Sequence, residues 1–79
     1  MNNMRENSIG KNLFEARKKA GMTLQEAADR ADMSKSALWG IEKGRYSPGF
    51  RTVAKLANVY CVSLDDLAKS SSFGGPGEA

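Results

Sequence analysis

The sequence predicts an all-α fold of five short helices with no strand, and two observations lead to this prediction. Apolar residues recur at intervals of three and four along five segments, which is the spacing of one face of an α-helix. Serine, threonine and glycine residues separate the segments at positions that suit helix starts and ends. The centre of the chain, residues 23–44, contains two of these helices joined by a tight turn.

The first helix is predicted from Ser8 or Ile9 to Ala20. Its apolar face is formed by Ile9, Leu13, Ala16 and Ala20. Gly21 follows directly and can take the left-handed conformation that ends a helix. Residues 1–7 are polar, and we expect them to form a flexible N-terminal arm.

A capping box predicts the start of the second helix at Leu24. Thr23 is followed three residues later by Glu26, so each side chain can bond the backbone N–H of the other residue. The inward face is formed by Leu24, Ala27, Ala28 and Ala31. Three alanines on one face allow another backbone to approach closely.

The third helix is predicted to begin after Ser34, a favourable N-cap, and to end near Gly44. Its inward residues are Ala37, Leu38 and Ile41. Its outer face is formed by Lys35, Ser36, Trp39, Gly40 and Lys43. Since the starts of the second and third helices lie close in sequence, the helices must cross steeply. A helix-turn-helix of this size places the outer face of its second helix where a DNA major groove can receive it.

A Pro/Gly turn precedes the fourth helix, predicted from Phe50 to Tyr60. Its apolar face is formed by Phe50, Val53, Leu56, Ala57 and Tyr60. Ser63 and Asp66 repeat the capping-box pattern and predict a short fifth helix. Residues 70–79 are rich in Ser and Gly and are expected to be a disordered tail. The folded domain is therefore predicted to span residues 8–69.

Composition excludes several classes of protein. A chain of 79 residues has room for one core. It has no His and a single Cys61, so zinc fingers and Cys/His nucleophile pairs are excluded, and we interpret Cys61 as a buried or half-buried structural thiol. With no paired-carboxylate pocket and no glycine-rich phosphate loop, we expect no enzyme, catalytic residue, metal, cofactor or small-molecule ligand. The absence of a long apolar stretch and of a signal peptide predicts a soluble cytoplasmic protein with no membrane partner.

The order of these features resembles the phage repressor and Cro family of helix-turn-helix DNA-binding proteins, often called XRE-like. The motifs are I-G at 9 and 10, Arg17, G-M-T at 21–23, Ala28, M-S at 33 and 34, Leu38, I-E-K-G-R at 41–45, Pro48, and L-A at 56 and 57. The resemblance implies a compact five-helix lambda-repressor-like domain, of bacterial or phage origin. It also implies an ion pair between Arg17 and Glu42.

Site residues follow from the resemblance and from the charge of DNA. The candidates for reading bases are Lys35, Ser36, Trp39 and Gly40, of which Lys35 is the sharpest because lysine can donate to guanine O6 and N7. The candidates for contacting phosphates are Thr23, Gln25, Lys43, Arg45 and Arg51. The family often has Gln where this chain has Leu24, so one expected contact is in doubt. The sequence allows three roles for Trp39: packing, DNA contact and protein interface.

The leading functional hypothesis is a transcriptional regulator, such as a repressor, that binds sequence-specific double-stranded operator DNA through residues 35–43. The resemblance implies a homodimer on an inverted repeat, with Tyr60, Val62 and Leu64 as candidates for either its interface or the core. The alternatives are an antitoxin and a protein-interaction adaptor with the same fold. A domain that had lost DNA binding would have no need of cations at Lys35, Lys43 and Arg45.

Overall fold

The computed structural model describes residues 3–69 and contains five α-helices and no strand within them. The helices are α1 (Asn3–Lys19), α2 (Leu24–Arg30), α3 (Lys35–Glu42), α4 (Phe50–Tyr60) and α5 (Leu64–Lys69). The all-α fold class is therefore confirmed, and the starts of α2 through α5 agree with the sequence prediction. The predicted tail, residues 70–79, lies outside the described residues.

The start of α1 was predicted wrongly. The helix begins at Asn3, so residues 3–7, which we assigned to a flexible arm, are helical. These residues contain no glycine or proline, and nothing in the local sequence therefore stops the helix from extending. At its other end, Gly21 takes a φ of +72° and closes the helix as expected. Ala20, assigned to the apolar face, lies beyond the last helical residue and is exposed.

Side-chain caps fix the starts of three helices. The Thr23 hydroxyl accepts the Glu26 N–H at 3.0 Å, while the Glu26 carboxylate accepts the Thr23 N–H at 2.9 Å. Ser34 Oγ accepts the Ala37 N–H at 3.0 Å at the start of α3. Ser63 Oγ accepts the Asp66 N–H at 2.9 Å at the start of α5. The predicted caps are confirmed, since each satisfies an N–H group that the helix leaves free.

The core lies where α1, α3 and α4 meet, and α2 packs against it through small residues. Leu13, Leu38 and Leu56 are fully buried, one from each of the three helices. Each such side chain contributes about 1.5–3 kcal/mol by leaving water. The remaining buried apolar residues are Ala16, Ala27, Ala28, Ala31, Ile41, Ala57, Tyr60 and Leu67. The core thus combines a few large side chains with close backbone packing at the alanines.

Helix α1 holds the fold together because it contacts both α3 and α5. Gly10 is buried against α3, where a Cβ would overlap the carbonyl oxygen of Ile41. On the other side, the buried Asn12 amide donates a hydrogen bond to the carbonyl oxygen of Leu67 in α5. A glycine and an amide in α1 therefore fix the positions of the helices on either side.

Two apolar residues that the sequence placed inward are found at the surface, together with Leu64, which the sequence left between core and interface. Phe50 is 76% exposed, since it is the first residue of α4 and lies before the turns that reach the core. Cys61 is exposed because it forms the left-handed C-cap of α4, with φ of +60°. Leu64 is 38% exposed at the start of α5. Because Cys61 is exposed, our interpretation of it as a buried or half-buried thiol is wrong. None of the helices within residues 3–69 is long and apolar enough to span a bilayer.

Candidate nucleic-acid interface

Helix α3 buries one side and presents the other to solvent. Leu38 and Ile41 face the core, while Lys35 and Ser36 in the first turn are exposed. This division follows from the helical period of 3.6 residues, which puts positions 35, 36, 39 and 43 on the side opposite the core. The exposed side is polar and cationic apart from one tryptophan, as expected of a face that meets a polar ligand.

Gly40 is not on the exposed face of α3, where the sequence analysis placed it. It is buried beneath the ring of Tyr46, and a Cβ at position 40 would overlap that ring. The loop after α3 folds back to make this contact, with the Arg45 N–H donating to the Gly40 carbonyl at 2.8 Å. Glycine is therefore present because an aromatic ring lies directly on the helix backbone.

Tyr46 is a surface residue that the sequence analysis missed. Its ring covers Gly40 and remains 58% exposed, so it occupies the surface that we had assigned to position 40. A glycine inside a helix followed by an aromatic residue in the next loop was the only available signal. That signal could not identify the contact, because it does not say how the loop folds.

Trp39 combines packing with exposure. It remains 41% exposed, and it lines a shallow groove of about 410 Å³ between α1 and α3 together with Phe14 and Leu24. Two cations lie over its ring: Arg45 Cζ is 5.0 Å from the ring centroid and Lys43 Nζ is 5.8 Å away. Both distances are within the range of cation–π attraction. Trp39 thus lies at the centre of a cationic surface at the end of α3.

The predicted phosphate-contacting residues divide into two groups. Lys43 and Arg45 are exposed and meet at the Trp39 ring, whereas Arg51 is exposed in the first turn of α4. Thr23 and Gln25 already have partners: the Thr23 hydroxyl caps α2, and the Gln25 amide donates to Asp29 at 3.0 Å. Gln25 therefore does not project freely in place of the half-buried Leu24.

Arg17 and Glu42 form the ion pair that the resemblance implies. The Arg17 Nε lies 2.8 Å from one Glu42 carboxylate oxygen and Nη2 lies 3.0 Å from the other. The remaining guanidinium nitrogen donates to the Met22 carbonyl at 3.0 Å. The hydrogen bond to Glu42 raises the pKa of Arg17 against the opposing effect of burial. Arg17 is therefore a structural residue that fixes the end of α3.

Two features lie outside the surface of α3 or concern metal binding, among the residues that the structure describes. No three His, Cys, Asp or Glu side chains among residues 3–69 are placed to hold a metal ion. A second shallow groove of about 480 Å³ lies between α1 and α5, lined by Asn12, Glu15, Ala16, Lys19, Val62, Asp66 and Leu67. The two grooves lie on different sides of α1, so the cationic surface of α3 is separate from the α5 region.

The family model described as a helix-turn-helix domain matches residues 8–69, more than half of the chain. The HTH-type transcriptional regulator ImmR of Bacillus subtilis is 43% identical over 60 residues, covering 76% of this chain and 47% of ImmR. An HTH-type regulator of Archaeoglobus fulgidus with no assigned role is 36% identical over 53 residues, covering 67% of this chain and 76% of the relative.

A further relative is the HTH-type transcriptional regulator PuuR of Escherichia coli, 37% identical over 58 residues, covering 73% of this chain and 31% of PuuR. The chain therefore spans about half the length of ImmR and about a third of PuuR. No solved structure matches the chain significantly.

Proposed function

The chain belongs to the XRE-like helix-turn-helix family, and from this premise we propose that it is a transcriptional regulator that binds double-stranded DNA with α3 in the major groove. The observation that carries the proposal is the exposed polar and cationic side of α3, which reaches from Lys35 to Lys43. Its opposite side is held in the core by Leu38 and Ile41. The helix can therefore enter a groove without exposing the core.

The DNA sequence would be read by residues at the N-terminal end of α3. Lys35 and Ser36 are exposed in the first turn, where side chains of a docked recognition helix reach base edges. Lysine can donate to the two acceptors of guanine, whereas serine can donate or accept with several bases. We therefore expect Lys35 to discriminate between bases more strongly than Ser36. Gly40 has no part in reading, since Tyr46 covers it.

Phosphates would be held around this helix by three cations and one helix terminus. Lys43 and Arg45 lie at one end of α3, and Arg51 lies in the first turn of α4. Gly49, the N-cap of α4, offers no side-chain cap, so the first N–H groups of that helix are free to meet an anion. These contacts set affinity and orientation, while Lys35 and Ser36 set preference.

We propose that the chain binds DNA as a homodimer, because α3 is short. A helix of eight residues reads only a few base pairs, so useful specificity needs two half-sites about one helical turn apart. Tyr60 is buried and belongs to the core, which leaves Val62 and Leu64 as candidates for the dimer surface. We propose an inverted-repeat operator on this basis.

Selection from a randomised duplex pool, followed by sequencing and titration at several salt concentrations, tests this function. We expect an inverted repeat, with Lys35→Ala relaxing the preference at one position in each half-site by about 1–3 kcal/mol. Lys19→Ala is the matched control, since it removes one positive charge from the α1–α5 groove and should leave the preference unchanged. Recovery of no motif from a folded protein would overturn the proposal and favour the antitoxin or adaptor alternatives.

A further inference from the structure

The geometry assigns Trp39 a positioning role: its ring holds Arg45 and Lys43 in place to bind backbone phosphates, and it does not itself read bases. This inference rests on the proposed DNA-binding function and explains how the cationic end of α3 is organised.

Both cations approach the same ring from the chain segment that follows it. Arg45 Cζ lies 5.0 Å and Lys43 Nζ 5.8 Å from the Trp39 centroid, within the ~6 Å at which a ring attracts a cation. Neither cation has a carboxylate within salt-bridge distance among the described residues. The tryptophan ring is thus the partner that restrains them, and their N–H groups remain free to donate to an anion.

The backbone around Trp39 is arranged to bring Arg45 back over the helix. Gly44 takes a φ of +79°, which turns the chain sharply after α3. The Arg45 N–H then donates to the Gly40 carbonyl at 2.8 Å. Tyr46 packs on Gly40 and fixes the next residue of the loop. Arg45 is therefore anchored on both sides, by its own N–H and by the ring of its neighbour.

Restraint of these cations favours binding, because a free lysine or arginine loses rotational freedom when it meets a phosphate. A side chain already held near the required position loses less. Trp39 also lines the groove together with Phe14 and Leu24, and its side chain is 41% exposed. Its indole offers one N–H donor and no acceptor, so it distinguishes base edges poorly.

The first test uses the free protein. Trp39 is the single tryptophan of the chain, so its fluorescence reports directly on its surroundings. We expect Arg45→Ala and Lys43→Ala each to shift the emission of Trp39, while Arg51→Ala, which removes a cation from α4, leaves it unchanged. Circular dichroism checks that every variant is folded. Unchanged emission in the Arg45 variant would overturn the inference without any reference to DNA.

The second test is a double-mutant cycle on the selected DNA site. We expect Trp39→Ala to weaken binding about two- to fivefold, the range of an exposed cation–π pair. In a background that carries both Arg45→Ala and Lys43→Ala, the same change should weaken binding by less than about twofold, since both cation–π pairs are already broken. In the Arg51→Ala background its full effect should persist. Equal effects in both backgrounds would contradict the positioning role.

Two conservative variants separate attraction from packing. Trp39→Phe keeps an aromatic face and should recover part of the affinity, whereas Trp39→Leu keeps apolar bulk and should bind as weakly as Trp39→Ala. Base preference should be the same in all three variants, because Trp39 acts on phosphate ligands. A changed motif would identify Trp39 as a reader and overturn the inference. If the wild-type protein binds no DNA, the proposed function fails and the positioning role fails with it. The emission test still decides whether Arg45 and Lys43 lie over the Trp39 ring.

Discussion

Arg17 and Glu42 join the C-terminal ends of α1 and α3 through two parallel hydrogen bonds of 2.8 and 3.0 Å. Their side chains are only 11% and 5% exposed, so both charges are largely removed from water. Glu42 is the last residue of α3, and the pair therefore fixes the position of α3 along α1. Such a pair contributes little net stability while it is intact, but the loss of one partner leaves an uncompensated charge.

Glu42→Ala is expected to lower the free energy of unfolding by about 3 kcal/mol, the lower end of the range for breaking a buried pair. Urea unfolding followed by circular dichroism measures this change. The control is Arg17→Met with Glu42→Leu, which replaces both charges by apolar groups and should recover most of the stability. A double variant as unstable as Glu42→Ala would show that packing, and not the orphaned charge, explains the loss.

Gly10→Ala is expected to destabilise the protein by about 1–3 kcal/mol, as overpacking typically does. The added methyl group would overlap the carbonyl oxygen of Ile41, a backbone atom of α3 that cannot move without shifting the helix. Thermal unfolding measures the effect. Gly49→Ala is the control, since no atom lies within 4 Å of a Cβ at position 49. Equal stability of the Gly10 variant and the wild type would mean that α1 and α3 can separate freely.

The effect of Gly40→Ala on the free energy of unfolding should change sign when Tyr46 is also replaced. In the wild type the methyl group displaces the Tyr46 ring, so the gain in helix propensity is offset by a lost contact. In a Tyr46→Ala background the space is open, and the same change should stabilise the protein by about 0.5–1 kcal/mol, the difference between glycine and alanine inside a helix. Paired denaturation curves measure both values. The same effect in both backgrounds would contradict the contact.

We expect the protein to lose stability at high pH because of the buried phenol of Tyr60. Burial, together with the nearby Glu42 carboxylate, raises the pKa of Tyr60 to about 12 from an ordinary value of 10.0, while Arg17 opposes the shift. Because the folded pKa is the higher one, the protonated phenol favours folding. Its contribution is complete below pH 10 and is lost as pH rises through 12, by up to about 2–3 kcal/mol. Denaturation across this pH range measures it.

The matched control for this titration is Tyr60→Phe. The difference in stability between wild type and variant should be constant below pH 10 and should change above it. The hydroxyl of Tyr60 has no hydrogen-bond partner among the described residues, so the variant should be at least as stable as the wild type at neutral pH. A flat difference up to pH 12 would show that the phenol is not buried in solution.

The sequence by itself determined the helices and their order. The caps at Thr23, Ser34 and Ser63 act within three residues, so a local pattern is enough to predict them. The apolar spacing in α3 likewise identified Leu38 and Ile41 as core, and this local information yielded the fold class and the helix that carries the site. The start of α1 was missed because residues 3–7 contain neither a stop signal nor an apolar face.

Only the tertiary structure decided how the surface of that helix is completed. Tyr46 covers Gly40, and Arg45 lies over Trp39, because the loop after α3 folds back on the helix. Phe50 and Cys61 are exposed because they lie at the two ends of α4, where helical periodicity no longer fixes the direction of a side chain. Contacts of this kind depend on the path of a loop and on the relative placement of helices. A local pattern records neither, since both arise from packing between segments.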